Sequence, residues 1–278
     1  MKQIGAIVPY FGCARMVAEE IGRALDGCTW LGVPFAGGMP ELAFINCRTI
    51  AVNDLHWHVV NLGSVIAHDE MRPQLIRWLQ DQAFHEAQLL RSQRMCQAMN
   101  GDRSLQDLDA AKHYFLSQWM GRSGKAGTKG EFDGGLPVRW NANGGDSNTR
   151  YRSAIRALGA FGRIMRRCNF TCLDAFEFLD KCQDVEGHGL YIDAPWPDDG
   201  DEYRFVLTNE HHRRLATRLS LYRNARVVVR FGDHPMIREL YAESKWEWQS
   251  LDGRTQANKK KAEVLLTNRR RTEGGQLF

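Results

Sequence analysis

Gly189-Leu190-Tyr191-Ile192-Asp193-Ala194-Pro195-Trp196 reads as the end of a buried strand: an apolar approach, then an acid, a proline-stiffened turn and a large aromatic ring. In an open parallel sheet, ligands bind just beyond the carboxyl ends of the strands, so an acid and an aromatic placed there are well sited for chemistry. Strands also end in Asp-x-Pro turns that serve only to redirect the chain. The surrounding sequence decides between these readings.

Upstream, Thr29 to Phe35 is a short apolar strand run followed by Ala36-Gly37-Gly38-Met39-Pro40-Glu41. Glycines directly after a strand let the backbone turn tightly and approach a ligand without Cβ interference. A second strand, Thr49 to Val52, ends in Asn53-Asp54. An acid roughly 20 residues beyond the glycine loop is placed to accept hydrogen bonds from ribose hydroxyls, and capping of a helix that begins near Leu55 is the alternative use of Asp54. Downstream, Thr171-Cys172-Leu173-Asp174-Ala175-Phe176 closes another strand-like run with an acid. Residues 14–25, 209–221 and 235–241 have helical patterning, Ala225 to Phe231 is a β-branched buried strand, and 245–250 with 263–268 form a closing hairpin.

Between these alternating sections the pattern changes. Met71 to Met120 is helical throughout, with a break at Asn100-Gly101, and Gly121 to Asn148 is rich in glycine with basic and aromatic residues interleaved. A basic helix follows over 150–167. Strands alternating with helices at both ends, around an all-helical middle, predict an α/β protein: a Rossmann-like sheet domain from 1–68 and 160–278 carrying a helical insert at 69–159.

The chain's 278 residues, 43% hydrophobic and 25% charged, suit a globular protein with a sizeable core. No apolar run approaches the ~18 residues of a membrane span, and the N-terminal stretch is broken too soon by charges to read as a secretory signal. Seven cysteines without metal-like pairing point to thiols in a reducing cytosol. The formal net charge is only +4, yet residues 122–167 hold ten Lys/Arg against three acids. A positive block on an otherwise acidic body predicts a polyanionic partner, nucleic acid first, with a solvated helix face as the plainer explanation.

The ordered series Tyr10-x-Gly12, Phe35-Ala36-Gly37-Gly38, Asn53-Asp54 and Asp193-Ala194-Pro195-Trp196 resembles the Dam-like DNA adenine-N6 methyltransferases. Trp119 to Gly124, Asn143 to Gly145, Glu210 to Ala216, Gly232 to Pro235 and Glu263 to Asn268 extend the similarity over nearly the whole chain. The resemblance implies S-adenosylmethionine as cofactor, held by Tyr10, Phe35, Ala36, Gly37, Gly38, Asp54, Asp174, Ala175 and Asp193. Asp193, Ala194, Pro195 and Trp196 are then the catalytic motif. Duplex DNA is the implied partner, with Arg122, Lys125, Arg139, Asn143 and Tyr203 as contacts and 69–159 as the target-recognition insert. A restriction endonuclease is the companion that such an enzyme admits.

In that family's chemistry the adenine amino group is a poor nucleophile until a carboxylate and a carbonyl accept its hydrogen bonds, here Asp193 and the Ala194 backbone. The base leaves the duplex and stacks on an aromatic, here Trp196, under an acidic loop from Asp198 to Tyr203. The chain departs from the family at three places: Ala194 replaces a proline, Trp196 a tyrosine, and Ala14, followed by Arg15, a lysine. Cytosine-N4 methylation and a DNA-binding relative without activity are the competing expectations. No Pro-Cys pair exists to serve cytosine-C5 chemistry.

Overall fold

The computed structural model describes residues 5–99, 106–122, 124–141, 145–197, 202–254 and 260–269. Seven strands form one sheet: β1 (Trp30–Val33), β2 (Thr49–Asn53), β3 (Cys168–Thr171), β4 (His188–Ile192), β5 (Arg226–Gly232), β6 (Trp246–Arg254) and β7 (Lys260–Asn268). Their spatial order is β3-β2-β1-β4-β5-β7-β6. The first five run parallel, and β7 lies antiparallel to both β5 and β6. This is a mixed α/β architecture compatible with a Rossmann-like fold.

The helices are α1 (Ala18–Ala24), α2 (Trp57–Ala67), α3 (Met71–Asp81), α4 (Glu86–Ala98), α5 (Leu108–Met120), α6 (Ser147–Met165), α7 (Ala175–Lys181), α8 (Asn209–Leu219) and α9 (Pro235–Leu240). They cover both faces, and the two-residue side-chain period of the strands sorts the core accordingly. On one face Leu31, Val33, Ile50, Val52, Tyr191 and Val228 pack with α1 to α6. On the other, Leu190, Ile192, Val227, Val229 and Phe231 pack with α7, α8 and α9.

The expected insert at 69–159 does not stand apart from the sheet. Leu75, Leu89, Tyr114, Phe115, Trp119 and Tyr151 belong to the same apolar cluster as the strand residues, and Trp119 Nε1 donates to the Ile7 carbonyl at 2.8 Å. The continuous helical reading from Met71 also divides, at Gln82 to His85. There the His85 ring accepts from the Ala87 N–H at 3.0 Å and caps α4, a start signal supplied by histidine in place of the usual Ser, Thr, Asp or Asn. The break expected at Asn100-Gly101 lies outside the described residues. No helix among the described residues is long and apolar enough to cross a membrane.

Candidate active site

β1 runs on toward β2 and β3, whereas β4 runs on toward β5, so the strand order reverses between β1 and β4. A crevice opens at the carboxyl ends of strands at such a point. Here it holds about 1020 Å³ of space out to its mouth. Tyr10, Phe35, Ala36, Gly37, Gly38, Asp54, Asp174, Ala175, Asp193, Pro195 and Tyr203 all line it, although they come from six separate stretches of sequence. Phe205 and Val206, both more than a third exposed, add an apolar rim.

Asn53 organises one end of the cleft. Its fully buried amide donates to the Pro34 and Leu173 carbonyls and accepts from the Leu173 N–H and the Thr171 hydroxyl, at 2.8 to 3.1 Å. Four bonds from one side chain fix the loops that follow β1 and β3 against the end of β2. Asp54 then accepts from the Gly37 N–H with Oδ2 and from the His56 N–H with Oδ1, each at 2.9 Å. One acid thereby serves the glycine loop and the entry to α2, and each oxygen keeps a lone pair for a ligand. Burial raises the Asp54 carboxyl above its ordinary value, against the pull of those N–H donors. Gly37 sits at φ 49° and the buried Met39 at φ 53°. For a residue with a side chain that left-handed conformation costs roughly 1–2 kcal/mol, strain of the kind held at ligand sites. Asp174, exposed at the cleft edge, caps α7 by accepting from the Phe176 N–H at 2.9 Å.

The other end is organised by charge. The β4–β5 register pairs Ile192 with Val229, and one step further it sets Asp193 beside Arg230. Arg230 Nη1 donates to both Asp193 oxygens at 3.1 and 3.0 Å and to the Gly12 carbonyl at 2.8 Å. Its Nε and Nη2 both reach Glu263 Oε2 on β7, at 3.0 and 2.8 Å. Against the penalty of burial, Asp193, Tyr191 and Glu263 hold the guanidinium protonated well above its ordinary range. Burial also pushes the Asp193 carboxyl up, against the pull of Arg230, and the nearby Glu263 carboxylate adds to the rise.

The structure departs here from the expected placement of the aromatic. Ala194 and Trp196 do not line the cleft. Trp196 is 8% exposed and packs in the apolar cluster with Ile192 and Phe231, with the Arg230 guanidinium 5.1 Å from its ring centre. Apolar packing and a cation–π contact hold the indole behind the charge cluster in this conformation.

The glycine-rich segment is sewn to the cleft. Tyr10 bridges to Ala126 and Thr128 to Tyr203; the Phe11 N–H donates to the Ala126 carbonyl, and the Arg204 N–H to Gly127. Gly127, at φ 78°, leaves the space occupied by the Tyr10 ring, since a Cβ there would come within 2.2 Å of it. Behind it, the buried Glu131 accepts from His56 Nε2 at 2.8 and 2.9 Å, from the Gly127 N–H at 2.9 Å and from Arg204 at 2.7 Å. Against burial, these partners keep the Glu131 carboxyl below its ordinary value. An ionised Glu131 places the proton on His56 Nε2. Tyr203 and Glu202 are thus fixed to 127–129, while the rest of the expected acidic loop, Asp198 to Asp201, lies outside the described residues.

Of the expected DNA contacts, Tyr203 lines the cleft, whereas Arg122, Lys125 and Arg139 do not. Arg122 and Arg139 are exposed and Lys125 is half-buried, all three on the glycine-rich segment. Asn143 lies outside the described residues. Trp140, next to Arg139, is 91% exposed.

Sequence reasoning passed over Arg230, Glu263, Glu131 and His56. Arg230 carried a readable signal: a charge inside the run Ala225 to Phe231 must find a partner if that strand is central. Glu131 and His56 are 75 positions apart and gave none. No protein-family model matches the chain, and no curated protein matches it in sequence.

Proposed function

We propose that the protein is an S-adenosylmethionine-dependent DNA adenine-N6 methyltransferase. The observation that carries this reading is the meeting of the glycine loop, Asp54, Asp174 and Asp193 in one cleft at the switch point of the sheet. Each had been singled out separately in the sequence. The donor set fits the cofactor: Asp54 keeps acceptor capacity for vicinal hydroxyls, Phe176 and Leu207 offer apolar faces, and carboxyls at the far end suit a cation.

The cofactor supplies an electrophilic methyl group on a sulfonium. The chain's residues prepare the acceptor. Asp193 takes a hydrogen bond from the adenine amino group and draws its lone pair out of the ring, and Arg230 fixes the orientation of that carboxylate. Tyr10 and Tyr203 are among the aromatic rings that face the cleft and can take a base, since Trp196 is buried. Arg139 and the exposed Trp140 suit phosphate contact and base stacking on the outer side of the same segment.

The test incubates purified protein with duplex DNA and S-adenosylmethionine, then digests the DNA to nucleosides for mass analysis. N6-methyladenine is expected from the wild type and none from Asp193→Ala. N4-methylcytosine would transfer the reading to the cytosine enzymes, and DNA binding with no methylated base would leave a DNA-binding relative without activity.

A further inference from the structure

Glu41 and Tyr191 take no part in the methyl transfer derived above, yet both face its cleft. Glu41 opens a 3-10 turn directly after the glycine loop and is 2% exposed. Its carboxyl accepts from its own backbone N–H, and Oε1 is buried without a hydrogen-bond partner. Tyr191 shares a strand face with Asp193, two positions on. Its buried hydroxyl lies beside that carboxyl without making a hydrogen bond of good geometry. A buried carboxyl oxygen left without a partner in this wall is a costly arrangement unless a ligand completes it.

The charges around Glu41 define that ligand. Asp193 and Tyr191 face it from β4, Arg230 from β5, Cys13 from the N-terminal loop and Cys168 from β3. The one cation among them is already engaged by Asp193 and Glu263. An incoming group must therefore donate hydrogen bonds and bring positive charge. Asp54 and Asp174 occupy the opposite end of the cleft, where a nucleoside fits. We propose that Glu41 Oε1 and the Tyr191 hydroxyl receive the protonated α-amino group at the amino-acid end of the methyl donor. This assignment rests on the methyl-donor reading above.

Burial lifts the Glu41 carboxyl to about 8, so without ligand it is largely neutral at pH 7. A bound ammonium favours the carboxylate. Binding at pH 7 therefore expels a proton from Glu41, and affinity climbs as pH rises toward 8.

Titration calorimetry on the full chain tests this with S-adenosylhomocysteine, which carries the amino-acid end, and 5′-methylthioadenosine, which lacks it. Running each in two buffers of different ionisation heat counts the protons exchanged. Wild type should release close to one proton on binding S-adenosylhomocysteine at pH 7. Glu41→Gln should abolish that release and weaken this ligand about tenfold or more, while 5′-methylthioadenosine binds both proteins alike. The variant should melt no lower than wild type, since it removes a buried ionisable group. Unchanged affinity and proton release in Glu41→Gln, or an equal loss for both ligands, would overturn the assignment. Failure of the wild type to bind either nucleoside would sink the methyl-donor reading itself, and the ammonium site with it.

Discussion

Replacing Arg230 with methionine removes one cation and leaves two carboxyls facing each other in the interior. Arg230 is 4% exposed and makes five hydrogen bonds: two to Asp193, two to Glu263 and one to the Gly12 carbonyl. Methionine fills much of the volume, so packing is not the main loss. Removing one partner of a buried ion pair typically costs about 3–5 kcal/mol, because the surviving charge stays desolvated. The loss must also depend on pH. In Arg230→Met the Asp193 carboxyl, already raised by burial, loses the cation that pulls it down and rises further above its unfolded value of roughly 4. An acid raised in the folded state is tolerated below its unfolded pKa and destabilises progressively as pH climbs toward the folded one. Urea denaturation at pH 5 and pH 8 should therefore show a deficit that is larger at pH 8. Adding Glu263→Gln should recover part of it, a non-additivity expected of residues in one network. A deficit below about 1 kcal/mol, or one equal at both pH values, would refute the charge-cluster account.

Gly127→Ala forces a Cβ into the Tyr10 ring and a left-handed φ on alanine, so a loss of about 1–3 kcal/mol in thermal or chemical denaturation is expected, with weaker ligand binding in the cleft. Burial holds His58 and His212 neutral down to about pH 4. The unfolded chain takes up those protons first, near 6.5, so the histidines' contribution to stability should be flat above pH 7 and fall between about 6.5 and 4, by on the order of 3 kcal/mol per histidine. His212, with both ring nitrogens buried and unpartnered, gives the clean check: calorimetry on His212→Leu should show a shallower acid limb than wild type. Trp140→Ala should leave the melting temperature unchanged while weakening duplex binding about tenfold in fluorescence anisotropy; equal affinity would remove that ring from the DNA surface.

The strands were legible because they end in chemically distinct residues. The apolar runs before Asn53-Asp54 and Asp193 read correctly as β2 and β4, and an acid or glycine loop at each end announced where the chain turns. Thr208 caps α8 and forms a capping box with His211. What escaped depends on register and depth. The Asp193–Arg230 pair exists only because β4 and β5 align as they do, and no spacing in the sequence states that alignment. The sharing of one core by 69–159 and the sheet escaped too, since helical periodicity shows an apolar face without saying what covers it. Trp196 was misplaced because an aromatic after a strand-end acid suits both a ligand wall and a core, and packing against Phe231 and Arg230 decided for the core.

The Arg230 cluster also sets a timetable. Its guanidinium joins β5 to Glu263 in β7 and to Gly12, a residue 218 positions away in the chain. Contacts of such separation are slow to form, because loop entropy is lost before they return any stabilisation. β4 and β5 can pair, and with them Asp193 and Arg230, 37 positions apart, while the N-terminal loop that carries Gly12 is still unattached to the cleft. The pocket would then be among the last features to mature, and in refolding, recovery of nucleoside binding should trail recovery of the far-ultraviolet circular dichroism signal. Coincident recovery would show that ligand-competent geometry arises with the backbone, without waiting for the Gly12 contact.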